Sequence, residues 1–388
     1  MKEKAIESMR ALLRREIDRE NMPGGLFALY RDGQEVFSVV EGMADLENDI
    51  PLRRDSLFRV YSMTKPVTSV AAMMLVEEGK LRLTDHVSDY LPEFRHMNRL
   101  DPSGKLVPCE RQITVWNLFT MTSGLVYPDP DPTGSYMQRC FDAFYDDNMA
   151  GRGPTTRKLA ELVAGQPLAF EPGSGWRYGL SADVLGAIIE VVTGMRFGEF
   201  LQQRLFGPLG MADTGFYVPE GKTDRLTQLY KYEDGHLLVD EKRHLGLTLC
   251  LSAPSFESGG AGLISTIDDF ARFGNMLANR GVWNGRRYLS EDTIRRSQGG
   301  LPENRLLPAL DWDTMVGYDY GYLMRALRDN SKAGRGAIGE FGWDGWTGPY
   351  MSVDADNNAL MLFMMQVGGH REWSLIREMR DIALDALE

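Results

Sequence analysis

The sequence predicts an α/β fold, α+β in detail: an antiparallel sheet flanked by helices, with a mostly helical domain inserted into it. Three observations predict it. A hairpin pattern lies near the start of the chain, a second lies near its end, and short helical patterns fill the middle. Strands from both ends then share one sheet, with the α/β part over 1–80 and 255–388 and the inserted part over 81–254.

The elements follow in order. In residues 1–20, Ile6, Met9, Leu12, Leu13 and Ile17 recur at helical spacing among charges, which describes an amphipathic surface helix. Two apolar runs then flank Asp32-Gly33, a dipeptide that tolerates the positive φ of a tight turn. Val67, Val70, Ala71, Met74 and Leu75 form a nearly all-apolar helix that must be buried, with Gly79 as its stop. From 81 to 254, prolines and glycines punctuate short helical pieces. Residues 126–152, rich in Pro, Asp, Gly and Tyr, read as a loop rimming a site, with Tyr127 and Tyr136 facing substrate. Thr266 and Asp269 stand at capping-box spacing before another helix. The run 348–367 is a second hairpin around an Asp/Asn turn, and an amphipathic helix ends the chain.

Composition bounds the function. The 388 residues carry 43 Lys+Arg and 55 Asp+Glu, a formal charge of −12. Hydrophobic residues are 43% of the chain, enough to fill a sizeable core and to exclude disorder as its main state. The acidic balance argues against nucleic acid or an anionic membrane as partner, since both select Lys/Arg patches. Cys109, Cys140 and Cys250 are too few and too scattered for a disulfide framework or a zinc cluster, and they fit a reducing compartment. No signal-peptide or membrane-span pattern is visible, so the expected location is cytoplasmic.

Three stretches hold residues suited to chemistry. In Ser62-Met63-Thr64-Lys65 the hydroxyl and the amine lie one helical turn apart and can meet. A serine needs a base to become a nucleophile, and burial makes a lysine one by lowering its pKa. The apolar run after Lys65 supplies that burial, whereas Pro66 predicts a distorted first turn. Tyr178 follows a Pro-Gly loop and precedes a helix, a place from which a phenol can share a proton. Residues 341–348, Phe-Gly-Trp-Asp-Gly-Trp-Thr-Gly, allow the close backbone approach that oxyanion donors need. Each stretch also has an ordinary structural reading: a chance S-x-x-K, a rim tyrosine, a Gly-rich hairpin around a buried tryptophan. His86, His96, His236, His244 and His370 show no metal spacing and read as surface or core residues.

Together and in this order, the features resemble the serine β-lactamase and penicillin-binding-protein superfamily, and within it the class C β-lactamase-like group. Ser62 to Lys65 matches its nucleophile motif. Residues 81–94, 113–125, 170–179 and 259–273 are similar to its recurrent phrases, so the likeness spans most of the chain. Two departures narrow it. Tyr178-Gly179-Leu180 stands where class C enzymes have Tyr-x-Asn, and Trp343-Asp344-Gly345 where they have Lys-Thr-Gly. The tryptophan is most like the Trp-Gly-Gly of family VIII carboxylesterases, from which Asp344 departs in turn.

The resemblance implies a β-lactamase/transpeptidase-like fold and a serine hydrolase that cleaves short-acyl or small-molecule esters, with weak β-lactam hydrolysis as a side activity. Ser62 is the implied nucleophile, and Lys65 with Tyr178 the implied proton carriers. The Ser62 and Trp346 amides are the implied oxyanion donors, and Trp343, Asp344, Gly345 and Tyr127 the substrate-binding residues. No cofactor or metal is implied, and the partner is a small-molecule ester. Alternatives are an acyltransferase, a β-lactamase or D-amino-acid peptidase on the same fold, and a non-catalytic binding or filament-forming homologue.

Overall fold

The computed structural model describes residues 2–149, 153–241, 244, 245, 247, 250–299, 313–369 and 373–388. Helix α1 (Lys2–Asp18) leads into strands β1 (Gly24–Arg31) and β2 (Gln34–Asp45). Arg31 pairs with Gln34 across the two-residue turn. Asp32 and Gly33 both have positive φ, 52° and 72°, the signature of the turn whose twist matches the flanking strands. A short strand β3 (Ile50–Pro51) follows. The later strands are β4 (Tyr318–Gly321), β5 (Met324–Leu327), β6 (Phe341–Asp344), β7 (Tyr350–Asp354) and β8 (Ala359–Met364). The eight form one antiparallel sheet in the order β4-β5-β6-β7-β8-β1-β2-β3. The expectation of one sheet shared by the two ends of the chain is borne out at the β8–β1 pairing.

Side-chain alternation explains why both faces are covered. On β1 and β8, Phe27, Leu29, Met361 and Phe363 point one way. They pack with Met9, Leu12 and Leu13 of α1 and with Leu375 and Met379 of the last helix (Trp373–Leu387). Leu26, Ala28, Leu360 and Leu362 point the other way, into a larger core with helix α2 (Thr64–Glu77) and the helix Ile267–Ala278. The predicted cap is present there, since the Thr266 side chain accepts from the Asp269 N–H.

Between the sheet strands lie helices α3 (Val115–Phe119), α4 (Pro132–Met149), α5 (Thr156–Ala164) and α6 (Ser181–Thr193). Helix α4 corrects the reading of 126–152 as a loop. Asp131 accepts from the N–H groups of Thr133 and Gly134, and Pro132 takes the first helical position, where no N–H is needed. The Pro/Asp/Gly composition therefore marks a helix start, and only 127–131 forms a strap. The same stretch 81–254 also holds a small antiparallel pair, Tyr230–Glu233 with His236–Val239, and Val367–Gly368 runs parallel to its first strand. No helix among the described residues is long and apolar enough to cross a membrane. The three cysteines form no disulfide.

Candidate active site

Ser62 lies in a 3-10 turn, Tyr61–Met63, that runs directly into α2. Pro66 is the third residue of α2, where the backbone N–H has no helical partner to lose, so it disturbs the turn less than its sequence position suggests. The strain sits one residue before the serine: Tyr61 has φ 42°, a left-handed conformation that a bulky residue adopts only when its surroundings hold it. Those surroundings include the Trp346 ring, edge-on at 5.3 Å. Gly345 makes the approach possible, because a Cβ there would stand 2.5 Å from the Val60 carbonyl oxygen.

Lys65 is fully buried, and its Nζ lies 3.1 Å from Ser62 Oγ, 3.0 Å from the Tyr127 hydroxyl and 2.8 Å from the Gly260 carbonyl oxygen. Burial pushes its pKa down to about 7, against the opposing pull of the Asp183 and Asp344 carboxylates. Behind it, Asp183 at the start of α6 accepts from the Ser258 hydroxyl at 2.5 Å and the Gly260 N–H at 3.1 Å. A Cβ on Gly260 would meet the Asp183 Oδ2 at 2.5 Å, so only glycine lets this turn close over the carboxylate. Burial holds Asp183 above the usual carboxylate range.

Tyr178 reaches the same place from the turn before α6. Its ring centroid is 4.4 Å from Lys65 Nζ, and its hydroxyl accepts a hydrogen bond from Trp343 Nε1 at 2.9 Å. Trp343 is buried and stands behind Tyr178, with ring centroids 5.4 Å apart. Asp344 is ion-paired with Arg325 of the neighbouring strand β5, and the Arg325 guanidinium lies among the Trp343, Tyr318 and Tyr350 rings.

A cleft of about 780 Å3 opens over Ser62. Its walls include Tyr61, Tyr127, Trp176, Tyr178, His244 and Trp346, with Asp129, Asp131 and Arg177 at the strap. Ser62, Tyr127, Tyr178 and Trp346 thus share one hollow with Lys65 beneath it. Trp343, Asp344 and Gly345 are not among the cleft-lining residues. Tyr127, expected only to line the pocket, also touches the amine. His244 is a surface residue that lines the cleft, its ring 3.9 Å from that of Trp346. His370 lies outside the described residues.

Sequence reasoning missed Asp183, Gly260 and Arg325. Asp183 left a signal, a carboxylate in the first turn of a mostly apolar helix, while Arg325 has its meaning only through strand pairing.

The pattern of the family described as Beta-lactamase matches residues 9–382. Protein Rv1367c of Mycobacterium tuberculosis is 32% identical over 365 residues, 91% of this chain and 88% of that one. Esterase EstB of Burkholderia gladioli is 31% identical over 360 residues, 89% of this chain and 86% of that one. Among solved structures, EstCE1, described as a hydrolase with promiscuous acyltransferase activity, superposes with a TM-score of 0.81 at 24% identity, covering 98% of this chain and 99% of that one.

Proposed function

The chain belongs to the Beta-lactamase family, and from that premise we propose that it is a serine esterase working through an acyl-enzyme on Ser62. The observation that carries the reading is the buried Lys65 amine, 3.1 Å from the Ser62 hydroxyl, with a pKa of about 7. At neutral pH a large share of such an amine holds a free electron pair, which is what a base for serine requires. The esterase relative EstB supports ester as the substrate class.

In this reading Ser62 Oγ bonds to the ester carbonyl carbon as its proton passes to Lys65. The carbonyl oxygen takes the negative charge and is held by the backbone N–H groups of Ser62 and Trp346. Collapse breaks the bond to the alcohol oxygen, which leaves with a proton returned through Lys65 and Tyr178. Trp343 holds the Tyr178 hydroxyl rather than substrate. A second nucleophile then frees the acyl group: water in an esterase, an alcohol in an acyltransferase. The description of EstCE1 keeps the second outcome in view. We also propose a cytoplasmic location, a reading supported by three scattered cysteines that suit a reducing compartment.

The experiment is a panel of p-nitrophenyl esters of increasing acyl length, with nitrocefin alongside and Ser62→Ala as control. Nitrophenol release should fall by roughly 10³ or more in the variant, since both general-base help and attack are lost. A fluorophosphonate should label Ser62 stoichiometrically. Release that persists in Ser62→Ala, or no label on Ser62, would end this reading.

A further inference from the structure

Resting on the reading of Ser62 as the acylated residue, we propose that His244, oriented by Asp240, is the general base that activates the second nucleophile and frees the acyl group. Two groups of rings wall the cleft. Tyr127, Tyr178 and Trp176 form one around Lys65, with Tyr127 and Trp176 each against Tyr178. Tyr61, Trp346 and His244 form the other, with Trp346 in contact with both neighbours. The first group already has its task. Lys65 Nζ has three hydrogen-bonding positions, and Ser62, Tyr127 and Gly260 take all three. In the resting enzyme the amine has no position left for a water.

The second group carries a titratable ring on the cleft surface. His244 Nε2 is 3.3 Å from Asp240 Oδ2, and the Asp240 side chain is only 3% exposed. A buried carboxylate that accepts from Nε2–H fixes the tautomer and leaves Nδ1 as the basic nitrogen. His244 also packs on Trp346, the residue whose N–H faces the developing oxyanion in the reading above. Ser62 and His244 line this one cleft, so the proposal seats the attacking water between the ring and the acyl carbon.

The step balances. The water oxygen bonds to the acyl carbon while its proton passes to the histidine. The carbon to Ser62 Oγ bond then breaks, and Oγ takes up the proton that the histidine received from the water. The carboxylic acid product leaves, and Ser62, Lys65 and His244 are back in their starting protonation states. An alcohol in place of water gives a new ester by the same step.

The test is rapid mixing with p-nitrophenyl acetate, which reads acylation as the first phase and deacylation as the steady slope. His244→Gln should raise the ratio of acylation to deacylation rate by about 30-fold or more, given that a general base is worth about 10²–10⁴. An acetyl group should accumulate on Ser62 by intact mass. Asp240→Asn should move the ratio the same way by a smaller factor, and added imidazole should restore turnover in His244→Ala. A ratio within about threefold of wild type in His244→Gln, or no imidazole rescue, would overturn the assignment. If neither wild type nor variants show an adduct on Ser62, the esterase reading itself has failed.

Discussion

The indole N–H of Trp343 donates to the Tyr178 hydroxyl at 2.9 Å, so the phenol whose ring lies 4.4 Å from Lys65 Nζ is held from behind by a neutral donor. That donor stabilises negative charge on the phenol oxygen and leaves the phenol's own proton free to travel. Within the proposed mechanism this makes Trp343 a positioning residue.

Replacing that donor gives the first prediction. Trp343→Phe keeps a ring in the core but removes the N–H. A hydrogen bond to a group that gains charge is worth about 1.5–3 kcal/mol, so kcat/KM should fall by roughly 10- to 150-fold. KM alone should move little, because the residue stands behind Tyr178 rather than in the cleft. A change confined to KM in steady-state kinetics on a phenyl ester would argue that Trp343 contacts substrate directly.

In the proposed mechanism the neutral form of Lys65 is the base and sets the pH dependence, and burial brings its pKa to about 7. The kcat/KM of the free enzyme should therefore rise as pH increases through about 7 and level off above it. Stability should follow the same direction. The unfolded chain titrates Lys65 near 10.5 and the folded one near 7, so between those values the unfolded state binds more protons. Raising the pH across that window adds stability, and the cost of the buried amine is fully present below it. Lys65→Met should abolish turnover and flatten this slope. The comparison is denaturant unfolding of both proteins at pH 6.5 and 9, where the wild-type gain should exceed that of the variant by about 1–3 kcal/mol.

The sheet was legible because its signals are local. Asp32-Gly33 fixes a hairpin, and the apolar runs on either side of it mark the two strands before any partner is known. Ser62 and Lys65 were legible for the same reason, being one turn apart. What stayed hidden depends on contacts between distant segments. Nothing near Gly260 says that its carbonyl will meet an amine 195 positions away. His244 has no motif around it, and only folding brings it onto Trp346. The strap 127–131 was misjudged in extent because proline and aspartate mark helix starts as readily as loops.

Asp183 should act on Lys65 at one remove. It holds Gly260, whose carbonyl takes the amine, and its charge favours the ammonium form. Asp183→Asn keeps the shape and removes the charge. The acid limb of the pH–kcat/KM profile should then shift to lower pH, while the rate on the plateau drops as the turn at 258–260 loosens. An unshifted limb, with the same plateau loss, would limit Asp183 to a structural role.

Asp344 is tied down by a partner that the sequence motif does not reveal. Arg325 is fully buried among three aromatic rings and ion-paired with Asp344 across the β5–β6 register. Changing Asp344 to the glycine found in Trp-Gly-Gly leaves that guanidinium without its carboxylate. Breaking one side of a buried pair costs about 3–5 kcal/mol, whereas replacing both sides with apolar groups is often close to neutral. Asp344→Gly alone should therefore lower the melting temperature sharply, and Arg325→Leu in the same chain should recover most of the loss. A double-mutant cycle by denaturant unfolding measures the coupling. Additive losses from the two substitutions would show that Arg325 is held by its aromatic neighbours, with the carboxylate contributing nothing to the fold.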